Sequence, residues 1–170
     1  MNKPLVAFRY YGGKNIHLPW ILPMVDLPCH HYVEPFGGSA ALLLNRKPSE
    51  IETYNDLNEN ILNFFDVLRN DTDELLRQLS LTPYHKGELA RAAEARSDFN
   101  DLTKMERARL FYFSINSTMH ALPGKIRKSD FSVCITSKNS SSYRYYNSLS
   151  NLEKIVERCL LYTSPSPRDS

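Results

Sequence analysis

The run Tyr32-Val33-Glu34-Pro35-Phe36-Gly37-Gly38-Ser39-Ala40 limits the possible folds of this chain more than any other segment. A short apolar strand, His31–Glu34, ends in an acid and turns through two glycines and a serine. It then enters the apolar helix Ala40–Asn45, with Ser39 the expected N-cap and Pro48 beyond its end. In α/β folds this arrangement builds a nucleotide-shaped pocket at the carboxyl end of a strand. Gly37 and Gly38 permit dihedrals and close approaches that a Cβ would prevent, and the amides beyond them are expected to point into the crevice. The spacing is neither GxGxxG nor GxxxxGK, and Glu34 would repel a phosphate, so a cofactor with a cationic or amino-bearing end suits the site better. Taken alone, the glycines are equally well explained by a tight turn without a ligand.

Two further segments stand at informative distances. Tyr10-Tyr11-Gly12-Gly13-Lys14 is a second glycine turn, whose lysine is either a counter-charge for a cofactor carboxylate or an ordinary surface residue. Asp56 follows a second strand, Ile51–Tyr54. An acid there either accepts hydrogen bonds from ribose hydroxyls or caps the next helix; Asn58 is able to take over the capping. That helix spans Asn58–Leu68 with Ile61, Leu62, Phe65 and Leu68 on one stripe. Strand, helix, strand and helix in succession predict two parallel units of a doubly wound sheet. Near the start, Pro19 is expected to open a short helix that Pro23 ends unless it falls in the first turn.

From Thr72 the pattern turns helical, over Leu75–Leu79, Tyr84–Arg96 and Lys104–Ser117, the last with Ala108, Phe111, Tyr112 and Ile115 as its apolar face. Gly124–Ser148 reads as a polar loop region and Leu149–Glu157 as a helix. Within the loop region Lys125, Arg127, Lys128, Lys138 and Arg144 are interleaved with Tyr143, Tyr145 and Tyr146. This stretch is either a DNA-facing surface of phosphate contacts and stacking rings or a solvated loop. From Cys159 the chain has no helical or strand period. The segment Cys159-Leu160-Leu161-Tyr162-Thr163-Ser164-Pro165-Ser166-Pro167-Arg168-Asp169 resembles translated sequencing adapter, so the genuine coding sequence is expected to stop near Arg158.

Composition narrows the function classes. With 42% hydrophobic and 24% charged residues the chain is globular in character, and a formal net charge of +2 does not by itself demand a polyanion partner. Cys29, Cys134 and Cys159 form no CxxC pair, and Cys29-His30-His31 has no second ligand cluster at finger spacing, so no metal is assigned. No apolar run approaches the roughly 20 residues needed to span a bilayer. The expected setting is cytoplasmic.

Tyr10-Tyr11-Gly12-Gly13-Lys14, Glu34-Pro35-Phe36-Gly37-Gly38-Ser39 and Asn55-Asp56-Leu57-Asn58 together resemble, in order and spacing, the DNA adenine-N6 methyltransferases of the Dam type (D12 class). The resemblance is firm over about residues 5–70. It is looser from 71 to 158, where it rests on Glu106-Arg107-Ala108-Arg109 and the aromatic run that follows. It implies a truncated Rossmann-like α/β S-adenosyl-L-methionine-dependent methyltransferase fold with a mainly helical target-recognition region. Residues 1–71 would bind the cofactor, 72–148 would recognise the target, 149–158 would begin the return to the sheet, and 159–170 would be tail. By the same resemblance Tyr10, Gly12, Gly13, Lys14, Glu34, Pro35, Phe36, Gly37, Gly38, Ser39 and Asp56 form the cofactor site, with Phe36 packed at the cofactor and Asp56 on the ribose. Double-stranded DNA is the implied partner and a monomer the implied full-length state, in a prokaryotic or phage-infected cell. The family transfers the methyl group through a D/N-P-P-Y motif, and no such run occurs here, so no catalytic residue is assigned. The alternatives are a non-catalytic DNA-binding module and a Rossmann-like enzyme acting on a small molecule. An open reading frame encoding D/N-P-P-Y after residue 158 favours the enzyme, and a stop codon there favours the module.

Overall fold

A computed structural model describes residues 4–95, 102–118, 130–133 and 140–160. A 3-10 turn, Lys14–His17, leads into α1 (Leu18–Val25); β1 (His31–Glu34), α2 (Ala41–Asn45), β2 (Ile51–Tyr54) and α3 (Glu59–Asn70) follow. The helical succession is α4 (Thr72–Leu81), α5 (Lys86–Ala95), α6 (Lys104–Ser117), α7 (Ser141–Leu149) and α8 (Leu152–Leu160). β1 and β2 pair in parallel, with His31 opposite Ile51 and Glu34 opposite Tyr54, and α2 is the crossover between them. The result is an α/β fold with a small parallel sheet flanked by helices.

The strand boundaries and those of α6 coincide with the sequence reading, because each is bracketed by polar or turn-forming residues. The Thr103 side chain caps α6 by accepting from the Glu106 amide. Ala108, Phe111, Tyr112 and Ile115 are buried as expected, but so are Leu110, Phe113 and Ser114, because α3, α4, α5 and α7 surround this helix. The buried face of α3 is rotated from the expected stripe. Ile61, Phe64, Val67 and Leu68 face the core, while Leu62 and Phe65 are half-buried.

One aromatic cluster ties the amino-terminal βα units to the helices. Phe8 meets Phe64 at 5.5 Å and Phe111 at 5.3 Å edge-on, and Phe64 stacks on Tyr112 at 5.3 Å. Each fully buried ring of this kind contributes about 1.5–3 kcal/mol from burial alone. The core is therefore continuous across position 71.

Three expectations need correction. Pro23 sits at the sixth position of α1, past the first turn, and the helix continues to Val25. Pro19, whose carbonyl loses its partner, and Pro23 both lie on the exposed side, where water can satisfy that carbonyl. The segment read as polar loop up to Ser148 contains α7, nucleated by Ser140 accepting from the Tyr143 amide and anchored by buried Tyr145, whose hydroxyl donates to Leu79 O at 3.1 Å. Finally, α8 runs through Cys159 to Leu160 with Cys159 packed on the core, since no helix breaker precedes Pro165. Burial pushes the Cys159 thiol up to about 11. α8 is tied to the sheet by Arg158, which donates to both Glu52 carboxylate oxygens at 2.8 and 2.9 Å and to Leu43 O at 2.7 Å.

Candidate cofactor site

The loops that follow β1 and β2 are stitched together at the carboxyl ends of the two strands. Gly37 N donates to Asn55 O at 2.9 Å, and Asn55 Nδ2 donates to Pro35 O at 3.2 Å. Gly38 N donates to Asp56 Oδ2 at 2.8 Å, while Asp56 Oδ1 accepts from Asn58 N at 2.9 Å. Asn58 in turn caps α3 by accepting from Asn60 N at 3.1 Å. The cap is thus Asn58, and each Asp56 oxygen holds one backbone amide. An ionised carboxylate has about four acceptor positions, so two are left for a ligand.

The two glycines are needed for different reasons. Gly38 has φ +54°, a left-handed conformation that costs a Cβ-bearing residue strain. Gly37 is forced by contact, since a Cβ there would overlap the ring of Tyr54. That ring is held from the other end, because Tyr54 Oη donates to Gly38 O at 2.6 Å. Burial, with Asp56 and Glu34 nearby, raises the Tyr54 phenol well above its ordinary value, so it stays a donor. The ring of Tyr10 lies over Gly38, where an added Cβ would come within 3.1 Å of it. Tyr10 is itself fixed by the Gly12–Gly13 turn, in which Gly13 N donates to Tyr10 O at 2.9 Å and Gly12 has φ +72°.

Glu34 is 4% exposed, and its carboxylate faces inward. Oε2 accepts from the Leu43 amide in the first turn of α2, and Oε1 accepts from Lys14 Nζ, each at 3.1 Å. This replaces the cap expected from Ser39. The N-cap residue is Ala40, at φ 55°, which makes no side-chain cap hydrogen bond of its own. Burial pushes the Glu34 carboxyl up, opposed by Lys14 and by the Leu43 amide. Lys14 also donates to Phe36 O at 3.0 Å. The lysine therefore neutralises Glu34 and fixes the turn, and the negative charge expected beside a ligand is offset. The turn amides Gly37, Gly38 and Ala40 are all bonded within the protein and do not point free into the crevice. What the turn does offer is the Ser39 hydroxyl, buried to 2% exposure with no hydrogen-bond partner, and the Phe36 ring, 72% exposed.

Of the basic residues, Lys125, Arg127, Lys128 and Lys138 lie outside the described residues. Arg144 is exposed on α7, its Nη2 donating to Ser141 Oγ at 3.1 Å. Tyr145 is core rather than a stacking platform; Tyr143 and Tyr146 are exposed, with the Tyr146 hydroxyl donating to Thr82 O at 3.0 Å. Among the described residues no group of three or more His, Cys, Asp or Glu is placed to hold a metal ion. Cys29 Sγ lies 3.1 Å from Ser49 Oγ, His30 pairs with Glu50 and His31 with Thr53. No helix among the described residues is long and apolar enough to cross a membrane.

Sequence reasoning passed over Tyr54 as a functional residue. Its only signal is its place at the end of β2, two residues before Asp56, and contact with a glycine distant in sequence is invisible there. A search of curated proteins finds no match. The family model for D12 class N6 adenine-specific DNA methyltransferase matches residues 10–160, which include all three convergent segments of this site. The chain belongs to the D12 class of N6-adenine-specific DNA methyltransferases.

Proposed function

We propose that the turn Glu34–Ser39, together with Tyr10, Gly12, Gly13, Lys14 and Asp56, forms the S-adenosyl-L-methionine site of this methyltransferase. The family's reaction is transfer of a methyl group from that cofactor to N6 of adenine in DNA. The observation that carries the residue assignment is the Ser39 hydroxyl, buried without a partner in the turn that Asp56 and Tyr54 hold open. An unsatisfied buried hydroxyl is costly unless something bonds it, and a polar ligand seated on the turn would do so. The residues fit the cofactor's chemistry. Asp56 retains acceptor positions for ribose hydroxyls, and Phe36 and Tyr11 present exposed rings for an adenine. When bound, the cofactor supplies an electrophilic methyl group on a sulfonium.

In this reading Gly38 and Tyr10 shape the floor, Tyr54 and Asp56 keep the turn in register, and the Lys14–Glu34 pair anchors it to α2. The 170 residues contain no D/N-P-P-Y run, so these residues account for cofactor binding and not for holding the adenine amino group. Residues 1–71 supply the cofactor site and 72–148 the recognition region. The enzyme acts as a monomer on double-stranded DNA, in the cytoplasm of a prokaryotic or phage-infected cell where that DNA resides.

Ser39→Ala tests the assignment cleanly, because it removes no hydrogen bond within the protein. Calorimetry should show cofactor affinity weakened by about 0.5–1.5 kcal/mol with thermal stability unchanged or raised. Unchanged affinity in both Ser39→Ala and Asp56→Ala would overturn the site.

A further inference from the structure

Arg46, the C-cap residue of α2, has a side chain only 1% exposed, with its guanidinium 4.1 Å from the centre of the Tyr32 ring. Its Nη1 donates to Ser49 Oγ at 2.9 Å and to Glu52 Oε1 at 3.2 Å. The opposite edge of the group, Nε with Nη2, is poorly supplied. Nη2 makes two long bonds, to Leu27 O and to Cys29 Sγ, both at 3.4 Å, and the buried Nε has no partner. In Arg77 and Arg109 the same edge grips both oxygens of a glutamate at 2.7 and 2.8 Å. Such a fork matches an oxygen acceptor that reaches both nitrogens. In Arg46 it meets a sulfur atom instead.

Neither neighbour makes up the deficit. Glu52 is held more closely by Arg158, at 2.8 and 2.9 Å. The Tyr32 phenol is pushed up to about 12, chiefly by burial, and stays neutral. Cys29 is a free, exposed cysteine whose Sγ touches Arg46 Nη2 and lies 3.1 Å from Ser49 Oγ. The Nε of Arg46 is closed off from solvent, so an acceptor does not reach it from outside. An oxygen bonded to Sγ would be carried to that edge by the chain itself. A buried donor left unsatisfied is costly, so adding the oxygen relieves a penalty already built into the fold.

We propose that Cys29 is a site of reversible oxidation by hydrogen peroxide, its sulfenic-acid oxygen received by the Nε–Nη2 edge of Arg46 and by Ser49. The thiolate sulfur attacks one peroxide oxygen. The S–O bond forms, the O–O bond breaks, and the departing hydroxide becomes water with the proton the thiol gave up. Sulfur loses two electrons and the peroxide gains them. A small thiol reverses the change: it attacks the sulfenic sulfur, water leaves, and a second thiol frees Cys29 from the mixed disulfide. The site precedes the amino-terminal ends of β1 and β2, whereas the cofactor turn follows their carboxyl ends, so this inference is independent of the cofactor assignment. Oxidation acts instead on the joint of α2 and β2, which the same guanidinium holds through Ser49 and Glu52.

The test treats the 170-residue chain with hydrogen peroxide, traps sulfenic acid with a cyclic 1,3-diketone and locates the adduct by peptide mass spectrometry. Cys29 should be labelled about tenfold faster in the folded chain than in the same chain unfolded in urea. Cys159, packed on the core, should lag behind it. Arg46→Lys, which keeps the charge but removes the fork, and Ser49→Ala should each shorten the lifetime of the sulfenic acid, with thermal melts confirming that the variants are folded. Ser49→Ala keeps the proposal open to refutation should Arg46→Lys fail to fold. Cys29 labelling no faster in the folded chain than in urea would overturn the proposal. An unchanged lifetime in the folded variants would also overturn it, since the oxygen would then have no receiver in the fold.

Discussion

Gly37→Ala places a methyl group inside the volume of the Tyr54 ring. Gly37 has no positive φ, so its backbone tolerates alanine and the whole cost is steric. The ring has little freedom to yield. Its hydroxyl is bonded to Gly38 O at 2.6 Å, and its edge packs against Phe65 at 5.3 Å. Overpacking at such a site costs about 1–3 kcal/mol, and releasing the hydroxyl adds about 0.5–1.5 kcal/mol. The expected destabilisation is about 2–4 kcal/mol, or about 4–16 °C in Tm for a chain of this size. Thermal and urea melts measure it, and the decisive comparison is the same change in a Tyr54→Ala background. There the clash is gone, and alanine should be neutral or stabilising by a few tenths of a kcal/mol through the unfolded chain. Gly38→Ala behaves differently, since its cost comes from φ +54° and survives the Tyr54 change. Equal costs for Gly37→Ala in both backgrounds would refute the claim that Tyr54 dictates the glycine.

Asp56→Ala removes acceptors for the Gly38 and Asn58 amides, so it should weaken cofactor binding by about 1.5–3 kcal/mol and also lower the urea midpoint. A lower affinity with no change in midpoint would contradict the hook between the two loops. The Arg109 guanidinium, bonded to Glu106 at 2.7 and 2.8 Å, holds the Glu106 carboxyl below its ordinary value. The stability this confers is present above the ordinary glutamate range and is lost as pH falls through the depressed value; Glu106→Gln should flatten that acid limb in melts taken across pH. Glu34 has the opposite sign, because its raised pKa favours the folded state as pH falls through it, so Glu34→Gln should remove a stabilising trend on acidification. Finally, with no D/N-P-P-Y run to hold the adenine amino group in line, the 170-residue chain should transfer no labelled methyl group to mixed-sequence DNA above background. Adenine methylation by this chain alone would refute the role given to that motif.

Local chemistry alone determined a good deal of this protein. Both strands and α6 were legible because short apolar runs are bracketed by turn residues, and Thr103 or Asn58 caps a helix through neighbours a few positions away. The order and spacing of the two glycine turns and Asp56 sufficed to indicate the family. The turn's internal wiring was not legible. Ser39 has the right chemistry for a cap, yet Glu34 takes the Leu43 amide, because the helix starts from a left-handed Ala40 and the strand end points beneath it. Lys14 was open to a ligand or to solvent until tertiary structure brought it to Glu34, 20 residues away. The face of α3 that is buried and the helix hidden in a serine-rich stretch were likewise decided by packing. Period and capping depend on residues within one turn of each other, whereas the choice between competing partners depends on which surfaces the folded core brings together.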